Sequence, residues 1–128
     1  MSCRDILIIE DNRDIREGFV SILTDEGYQV TQAENGKAGL SILLSSRPHI
    51  PGCIILDLKM PIMDGRMFLE ILNREHPDDL CKIPIILATA MGSSDDEWGE
   101  LPCMVDKISK PMDVEQLIQI VHKHCRVA

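Results

Sequence analysis

The sequence predicts an α/β fold with one doubly wound parallel sheet of five strands and helices on both faces. Two observations lead to this prediction. Short apolar runs alternate along the chain with segments whose apolar residues recur at helical spacing. In addition, the first and third runs end directly at acidic residues, Glu10 and Asp11 in one case and Asp57 in the other. Strands that alternate with helices form parallel sheets joined by right-handed crossovers.

The first quarter of the chain supplies two strands and the helix between them. Ile6 to Ile9 is a continuous apolar run, which is typical of a strand buried on both faces. A helix should follow it, capped by Asp11 or Asn12 and ended near Gly27. Tyr28 to Thr31 is predicted as a short second strand.

The middle of the chain repeats this pattern. A second helix should open at Asn35-Gly36 and end before Arg47-Pro48, and Cys53 to Leu56 should form a third buried strand. A turn at Asp64-Gly65 precedes a third helix. Its apolar residues recur at helical spacing: Met67, Phe68, Ile71 and Leu72.

The last third of the chain is less regular. Ile83 to Ala88 is predicted as the fourth strand, with Pro84 near its start, where proline is tolerated. Glycines and a proline surround the acidic segment that follows, so a helix there should be short or irregular, over Asp95 to Leu101. Val105 to Ile108 should form the fifth strand, and a final helix should begin at Asp113.

The composition limits the function classes. At 128 residues the chain predicts a single domain over residues 1–128. Its net charge of -8, without a basic patch, argues against direct binding to nucleic acid or to an anionic membrane. The apolar runs are too short to span a bilayer or to act as a signal peptide, which predicts a cytoplasmic location. The five cysteines show no Cys-x-x-Cys spacing, so we expect reduced thiols.

Acidic residues at two strand ends predict a metal site. Ligands of open parallel sheets bind beyond the carboxyl ends of the strands, where the strand order reverses. If the first and third strands are neighbours, Glu10, Asp11 and Asp57 converge there, and a cluster of carboxylate oxygens favours Mg²⁺. Thr89 and Lys110 end the fourth and fifth strands, where they could hold an anion. In the alternative interpretation, Asp11 only caps a helix and Glu10 is solvated.

Taken together, these positions resemble the receiver domain of two-component response regulators. Four motifs stand at strand ends in the same order as in that family: Glu10-Asp11, Asp57, Thr89-Ala90 and Lys110-Pro111. The resemblance extends from Ile6 to about His124. It implies a flavodoxin-like strand order of 2-1-3-4-5. Because few residues follow the last helix, the chain should be either a stand-alone receiver or an excised piece.

The resemblance also implies a function. Asp57 would accept a phosphoryl group from the phosphohistidine of a histidine kinase or a histidine phosphotransfer protein. The implied Mg²⁺ ligands are Glu10, Asp11, Asp57 and the backbone carbonyl of Lys59. Thr89 and Lys110 would contact the phosphoryl oxygens. Such a protein modifies itself and acts through a downstream protein or output domain, so it is not a turnover enzyme.

The resemblance predicts an output face with one departure from the family. Phosphorylation at Asp57 would shift the face that runs from the fourth strand to the last helix. The family usually has an aromatic residue three positions before its conserved lysine, and this chain has Lys107 there. An ammonium group cannot enter an apolar slot cheaply, so this position departs from the aromatic part of the switch that the resemblance implies, and whether Lys107 replaces it stays open.

Three other hypotheses remain open at this point. A flavin-binding electron carrier of the same architecture would be yellow, but Glu10-Asp11 would repel its phosphate. An aspartate-nucleophile phosphohydrolase usually carries Asp-x-Asp, whereas this chain has Asp57-Leu58-Lys59. A receiver-like scaffold that is never phosphorylated would not need the complete pocket.

Overall fold

Five parallel strands form the central sheet. The computed structural model describes residues 2–45, 51–58, 60–90, 101–103, 106–110 and 113–125, with the backbone alone for 2–4, 89, 90, 109 and 110. The strands are β1 (Ser2–Ile9), β2 (Gln29–Ala33), β3 (Pro51–Asp57), β4 (Ile85–Ala90) and β5 (Asp106–Lys110). Their order is β2-β1-β3-β4-β5. The predicted fold class and strand order are therefore confirmed.

Helices cover both faces of the sheet. They are α1 (Arg13–Asp25), α2 (Gly36–Ser45), α3 (Gly65–Glu75) and α4 (Val114–His124), with a short 3₁₀ helix at Leu80–Lys82. In the described part of the chain, no helix has the length and apolar character needed to cross a bilayer.

Two hydrophobic cores lie on opposite sides of the sheet because successive side chains of a strand alternate between its faces. Leu7 and Ile9 of β1 pack with α2 and α3, whereas Ile6 and Ile8 pack with α1 and α4. Every residue of β3 is buried. The continuous apolar runs of the sequence therefore reflect strands that are covered on both faces.

Helix caps fix how the chain leaves the strands. The Asn12 side chain accepts a hydrogen bond from the Ile15 amide, so Asn12 is the N-cap of α1. This settles the choice between the two predicted caps and leaves the Asp11 side chain available for another role. Asp64 caps α3 in the same manner, by accepting from the Met67 amide.

All five strands differ from the predicted ranges at one or both ends, and the starts of β2 and β4 have a clear structural reason. β2 begins one residue after Tyr28, whose ring is buried outside the strand while its hydroxyl donates to the Cys125 carbonyl. β4 begins two residues after Ile83, because that residue follows the 3₁₀ helix and donates its amide to the Leu80 carbonyl. The short helix predicted over Asp95 to Leu101 lies, except for Leu101, outside the described residues.

The prediction that all cysteines are reduced was wrong for one pair. The structure joins Cys81 and Cys103 in a disulfide, with their Cα atoms 5.1 Å apart. Cys53 and Cys125 lie outside this disulfide and are buried. Spacing along the chain could not reveal the pair, because only the packing of two distant segments brings these cysteines together.

An acidic residue links β5 to the end of α4. The Oδ2 atom of Asp106 lies 3.1 Å from His124 Nε2 and 3.3 Å from Lys123 Nζ, and Oδ1 accepts from the Lys107 amide at 2.9 Å. The hydrogen bond from His124 is the largest influence that holds the pKa of Asp106 below its usual value of 3.8, and partial burial opposes it. The charged form of Asp106 therefore stabilises the fold.

We expect Asp106→Asn to reduce the acid sensitivity of the protein. A carboxylate with a lowered pKa contributes stability above its unfolded pKa and loses it as the pH falls through the folded value. The wild type should lose about 0.2–1 kcal/mol more unfolding free energy than the variant between about pH 5 and 3. Urea titrations at both pH values measure this difference. If both proteins lost the same unfolding free energy on acidification, the charged form of Asp106 would not be what stabilises the fold.

Candidate functional site

The strand register brings the carboxyl ends of β1 and β3 together. Ile9 of β1 lies opposite Leu56 of β3, so Glu10 and Asp57 follow at the same level of neighbouring strands. β1 and β3 are also the strands between which the sheet order reverses, since β2 lies on one side and β4 on the other. The acids therefore lie at the position where open parallel sheets bind ligands.

Three carboxylates converge at this position. One oxygen each of Glu10, Asp11 and Asp57 lies within 4.8 Å of the other two. Glu10 is 1% exposed and Asp57 is 7% exposed, whereas Asp11 is open to solvent. Oxygens at this separation can all contact one divalent cation, which offsets the repulsion between the negative charges. The predicted convergence is confirmed, and the alternative in which Glu10 is solvated is wrong.

Backbone contacts hold the first acid in place. The Glu10 amide donates to the Ala33 carbonyl at 3.0 Å, and the Glu10 carbonyl accepts from Arg16 Nη1 at 2.8 Å. The Glu10 carboxylate itself accepts from the Asn12 amide at 3.1 Å. Helix α1 therefore fixes the loop that carries both Glu10 and Asp11. Arg16 could not be identified as part of the site from the sequence, because an arginine in the first turns of a helix gives no distinctive signal.

Close backbone packing holds the second strand end in place. The Gly65 amide donates to the Leu58 carbonyl at 2.8 Å, which ties the start of α3 to the residue after Asp57. A Cβ atom on Gly65 would lie 2.6 Å from the Asp57 carbonyl oxygen. Only glycine leaves room for this approach. The sequence marked Gly65 as part of a turn but not as a wall of the site.

The other predicted site residues belong to nearby strand ends. Asp57 lies opposite Ala88 of β4, so the backbone of Thr89 follows one residue further toward the carboxyl edge. Lys110 ends β5 and lies opposite Ala90. The side chains of Thr89 and Lys110, and Lys59 as a whole, lie outside the described residues. Their roles therefore stay predictions.

Comparison with known proteins identifies the family. The family model of the response regulator receiver domain matches residues 6–122 of this chain. The chain belongs to this family. It is therefore a receiver domain of two-component systems, a signalling module, as the resemblance predicted.

Several relatives match this receiver over most of its length. It is 36% identical over 121 residues to sporulation initiation phosphotransferase F of Bacillus subtilis. The aligned region covers 93% of this chain and 91% of that relative. It is 34% identical to the solved signal receiver domain of a signal transduction histidine kinase from Syntrophus aciditrophicus. The two structures superpose with a TM-score of 0.81, over 94% of this chain and 89% of the solved one. A longer relative, response regulator MprA of Mycolicibacterium vanbaalenii, is 34% identical over 88% of this chain, which spans 46% of MprA.

Membership of this family gives the acidic cluster its general role. Receiver domains bind a divalent metal ion through acidic residues, and here Glu10, Asp11 and Asp57 supply such a cluster. Lys107, at the position where the family usually has an aromatic residue, is exposed on β5. This exposure agrees with the expectation that an ammonium group does not enter an apolar slot.

Proposed function

We propose that this receiver is the phosphoacceptor of a two-component phosphorelay and that Asp57 is the residue modified. The observation that carries the proposal is the convergence of Glu10, Asp11 and Asp57 at the point where the strand order reverses. Asp57 is 7% exposed, so it is held firmly at the end of the sheet without being fully sealed from solvent. The match to a relative named as a phosphotransferase, which spans 91% of that relative, supports a relay role.

The metal proposed for this site is Mg²⁺. Three hard oxygen ligands, two of them on nearly buried side chains, fit a small divalent cation that prefers carboxylates. Glu10, Asp11, Asp57 and the backbone carbonyl of Lys59 would hold it. When bound, the ion supplies positive charge that lowers the repulsion between the cluster and an incoming phosphoryl group.

Phosphoryl transfer then uses the side chains at the strand ends. A carboxylate oxygen of Asp57 forms a bond to phosphorus as the bond between phosphorus and the donor imidazole nitrogen breaks. The donor is a histidine kinase or a histidine phosphotransfer protein. Thr89 donates its hydroxyl and Lys110 its ammonium group to the remaining phosphoryl oxygens. The backbone register supports this arrangement, because β4 and β5 lie on the same side of β3, with Thr89 next to the carboxyl end of β4 and Lys110 at that of β5.

Phosphorylation of Asp57 would signal by changing the protein surface formed by β4, β5 and α4. An aspartyl phosphate adds about 1.5 to 2 negative charges at one end of β3. Contacts from Thr89 and Lys110 to this group would shift a pre-existing equilibrium of β4, β5 and α4. A downstream protein or an output domain would bind this changed surface. The net charge of -8 gives no support for direct contact with nucleic acid or for membrane insertion. A cytoplasmic location fits these partners.

Intact mass spectrometry tests this function. The full chain is incubated with acetyl phosphate or phosphoramidate in the presence of Mg²⁺. We expect one added phosphoryl group on the wild type and none on Asp57→Asn, which keeps the shape but lacks the nucleophilic charge. Asp25→Asn, which removes an exposed acid at the end of α1, is the matched control and should be modified like the wild type.

Other outcomes would contradict the assignment. An equal adduct on Asp57→Asn would place the modification elsewhere. No adduct with either donor would favour a scaffold that is never phosphorylated. Continued release of phosphate from a small phosphomonoester, with the chain unmodified, would favour a phosphohydrolase.

A further inference from the structure

Two cysteines meet at the edge of the sheet opposite to the acidic cluster. Cys81 lies in the 3₁₀ helix before β4, and Cys103 lies three residues before β5. Both therefore lie near the amino-terminal ends of their strands, whereas Asp57 lies at a carboxyl end. Their Cα atoms are 5.1 Å apart, within the range that a disulfide spans without backbone movement. The structure joins them by a disulfide.

Packing holds the two cysteines close together independently of the bond. Leu80 precedes Cys81 and is fully buried, and Leu101, two residues before Cys103, is 8% exposed. Both leucines belong to the hydrophobic core between the sheet and helices α2 and α3. The two segments are therefore anchored by apolar burial, so the cysteines should remain neighbours when the bond is open.

Helix α3 can also accommodate the two separate thiols. The Sγ atom of Cys81 lies 3.8 Å from Asn73 Oδ1, and that of Cys103 lies 4.0 Å from the Leu69 carbonyl oxygen. Leu69 and Asn73 are four residues apart and lie on one side of α3. After reduction, each thiol has an oxygen near enough to accept a weak hydrogen bond. The same surroundings therefore fit both the bonded and the open form.

Exposure distinguishes this pair from the other described thiols. Cys81 and Cys103 are partly exposed, whereas Cys53 and Cys125 are buried. A small disulfide or thiol in solution can therefore reach the pair while the buried thiols stay protected. Cys103 also has a φ of 66°, a left-handed conformation that is uncommon for residues other than glycine. Such a conformation persists only where the surrounding structure fixes the chain. Here it places Cys103 next to Cys81.

We propose that Cys81 and Cys103 form a reversible thiol–disulfide pair that exchanges with low-molecular-weight disulfides of the glutathione type. One cysteine thiolate attacks glutathione disulfide, which releases one glutathione thiolate and leaves a mixed disulfide. The second thiolate then attacks the protein sulfur of that bond and releases the second glutathione. The protein pair is oxidised by two electrons, and one glutathione disulfide becomes two thiols.

Oxidation closes a covalent ring around one strand. The bond joins residues 22 positions apart in sequence, and the ring contains all of β4. It connects the starts of β4 and β5, whose carboxyl ends carry Thr89 and Lys110. Disulfide formation would therefore be a second covalent modification that acts on β4 and β5, at the end opposite to Asp57. The proposal does not require phosphorylation, so it can fail without affecting the proposed function.

Alkylation followed by intact mass spectrometry tests the pair. The full chain is reduced, equilibrated with buffers of varied glutathione and glutathione disulfide ratio, quenched with N-ethylmaleimide and denatured. As the buffer becomes more oxidising, we expect the wild type to lose two alkylation sites together, and peptide mapping should link Cys81 to Cys103. Cys81→Ser and Cys103→Ser should each stop at a mixed disulfide with one glutathione, because the resolving thiol is absent. The double variant should show neither change.

Thermal unfolding gives an independent measurement. Reduction should lower the melting temperature of the wild type by about 10 °C, because the open chain gains the entropy that the ring removes. The double serine variant should show no shift on reduction. Equal loss of alkylation sites in the double variant would overturn the proposal. So would a bond that resists excess dithiothreitol in the folded protein, because that bond would not be reversible.

Discussion

Gly65→Ala is expected to lower the free energy of unfolding by about 3 kcal/mol. The added Cβ atom would lie 2.6 Å from the carbonyl oxygen of Asp57, 2.9 Å from the Cα atom of Leu58 and 3.0 Å from its Cδ2 atom. Two of these three atoms belong to the backbone, which cannot turn away as the end of a side chain can. The strand end or the start of α3 must therefore move.

The same change should impair phosphorylation more than a general loss of stability would. The Gly65 amide donates to the Leu58 carbonyl, so a shift at Gly65 acts directly on the residue next to Asp57. Misplacement of a reacting group by about 1 Å can cost roughly a hundredfold in rate. We expect the rate of Asp57 modification by acetyl phosphate to fall at least about tenfold at a temperature where the variant is fully folded.

Gly18→Ala is the matched control for this prediction. Gly18 lies inside α1, is exposed, and a Cβ atom there would meet nothing within 4 Å. Alanine has a higher helix propensity than glycine, so this variant should gain about 0.5–1 kcal/mol. Urea unfolding of both variants and the wild type provides the comparison. If Gly65→Ala unfolds at the wild-type midpoint, the close approach at Asp57 does not constrain the site.

The position of the acids could be predicted because a buried parallel strand leaves a strong signal. Ile6 to Ile9 and Cys53 to Leu56 are apolar on both faces, which identifies them as central strands without an alignment. The residue that follows such a run must lie at the carboxyl edge of the sheet. Glu10 and Asp57 were therefore located to within one residue, although the order of the strands came from the family resemblance.

Features that depend on the approach of distant segments could not be predicted. The contact of Gly65 with the Asp57 carbonyl depends on the angle at which α3 leaves the loop, and no residue pattern encodes that angle. The pairing of Cys81 with Cys103 depends likewise on α3, against which both segments pack. The sequence predicts that β4 begins at Ile83, but the strand begins at Ile85. Ile83 is apolar and buried like a strand residue, although it directly follows a 3₁₀ helix.

Asp11→Asn is expected to change the unfolding free energy in opposite directions without and with Mg²⁺. Without the ion, the variant should be more stable than the wild type. Carboxylate charges about 4 Å apart repel each other by about 1 kcal/mol even at the dielectric constant of water, and Asp11 faces two of them. Loss of a favourable charge near the start of α1 costs only about 0.3–1 kcal/mol. The relief of repulsion should therefore dominate.

With Mg²⁺ the order of stability should reverse. The wild type gains stability in proportion to the logarithm of ion concentration over its dissociation constant, and loss of one charged ligand should weaken binding at least about tenfold. Melting temperatures across a Mg²⁺ titration, at constant ionic strength, measure both effects. Asp14→Asn is the control, since Asp14 is an exposed acid in the first turn of the same helix, outside the cluster. It should be slightly destabilised at every Mg²⁺ concentration. If Asp11→Asn behaves like Asp14→Asn, Asp11 acts only on the helix and the three carboxylates do not share an ion.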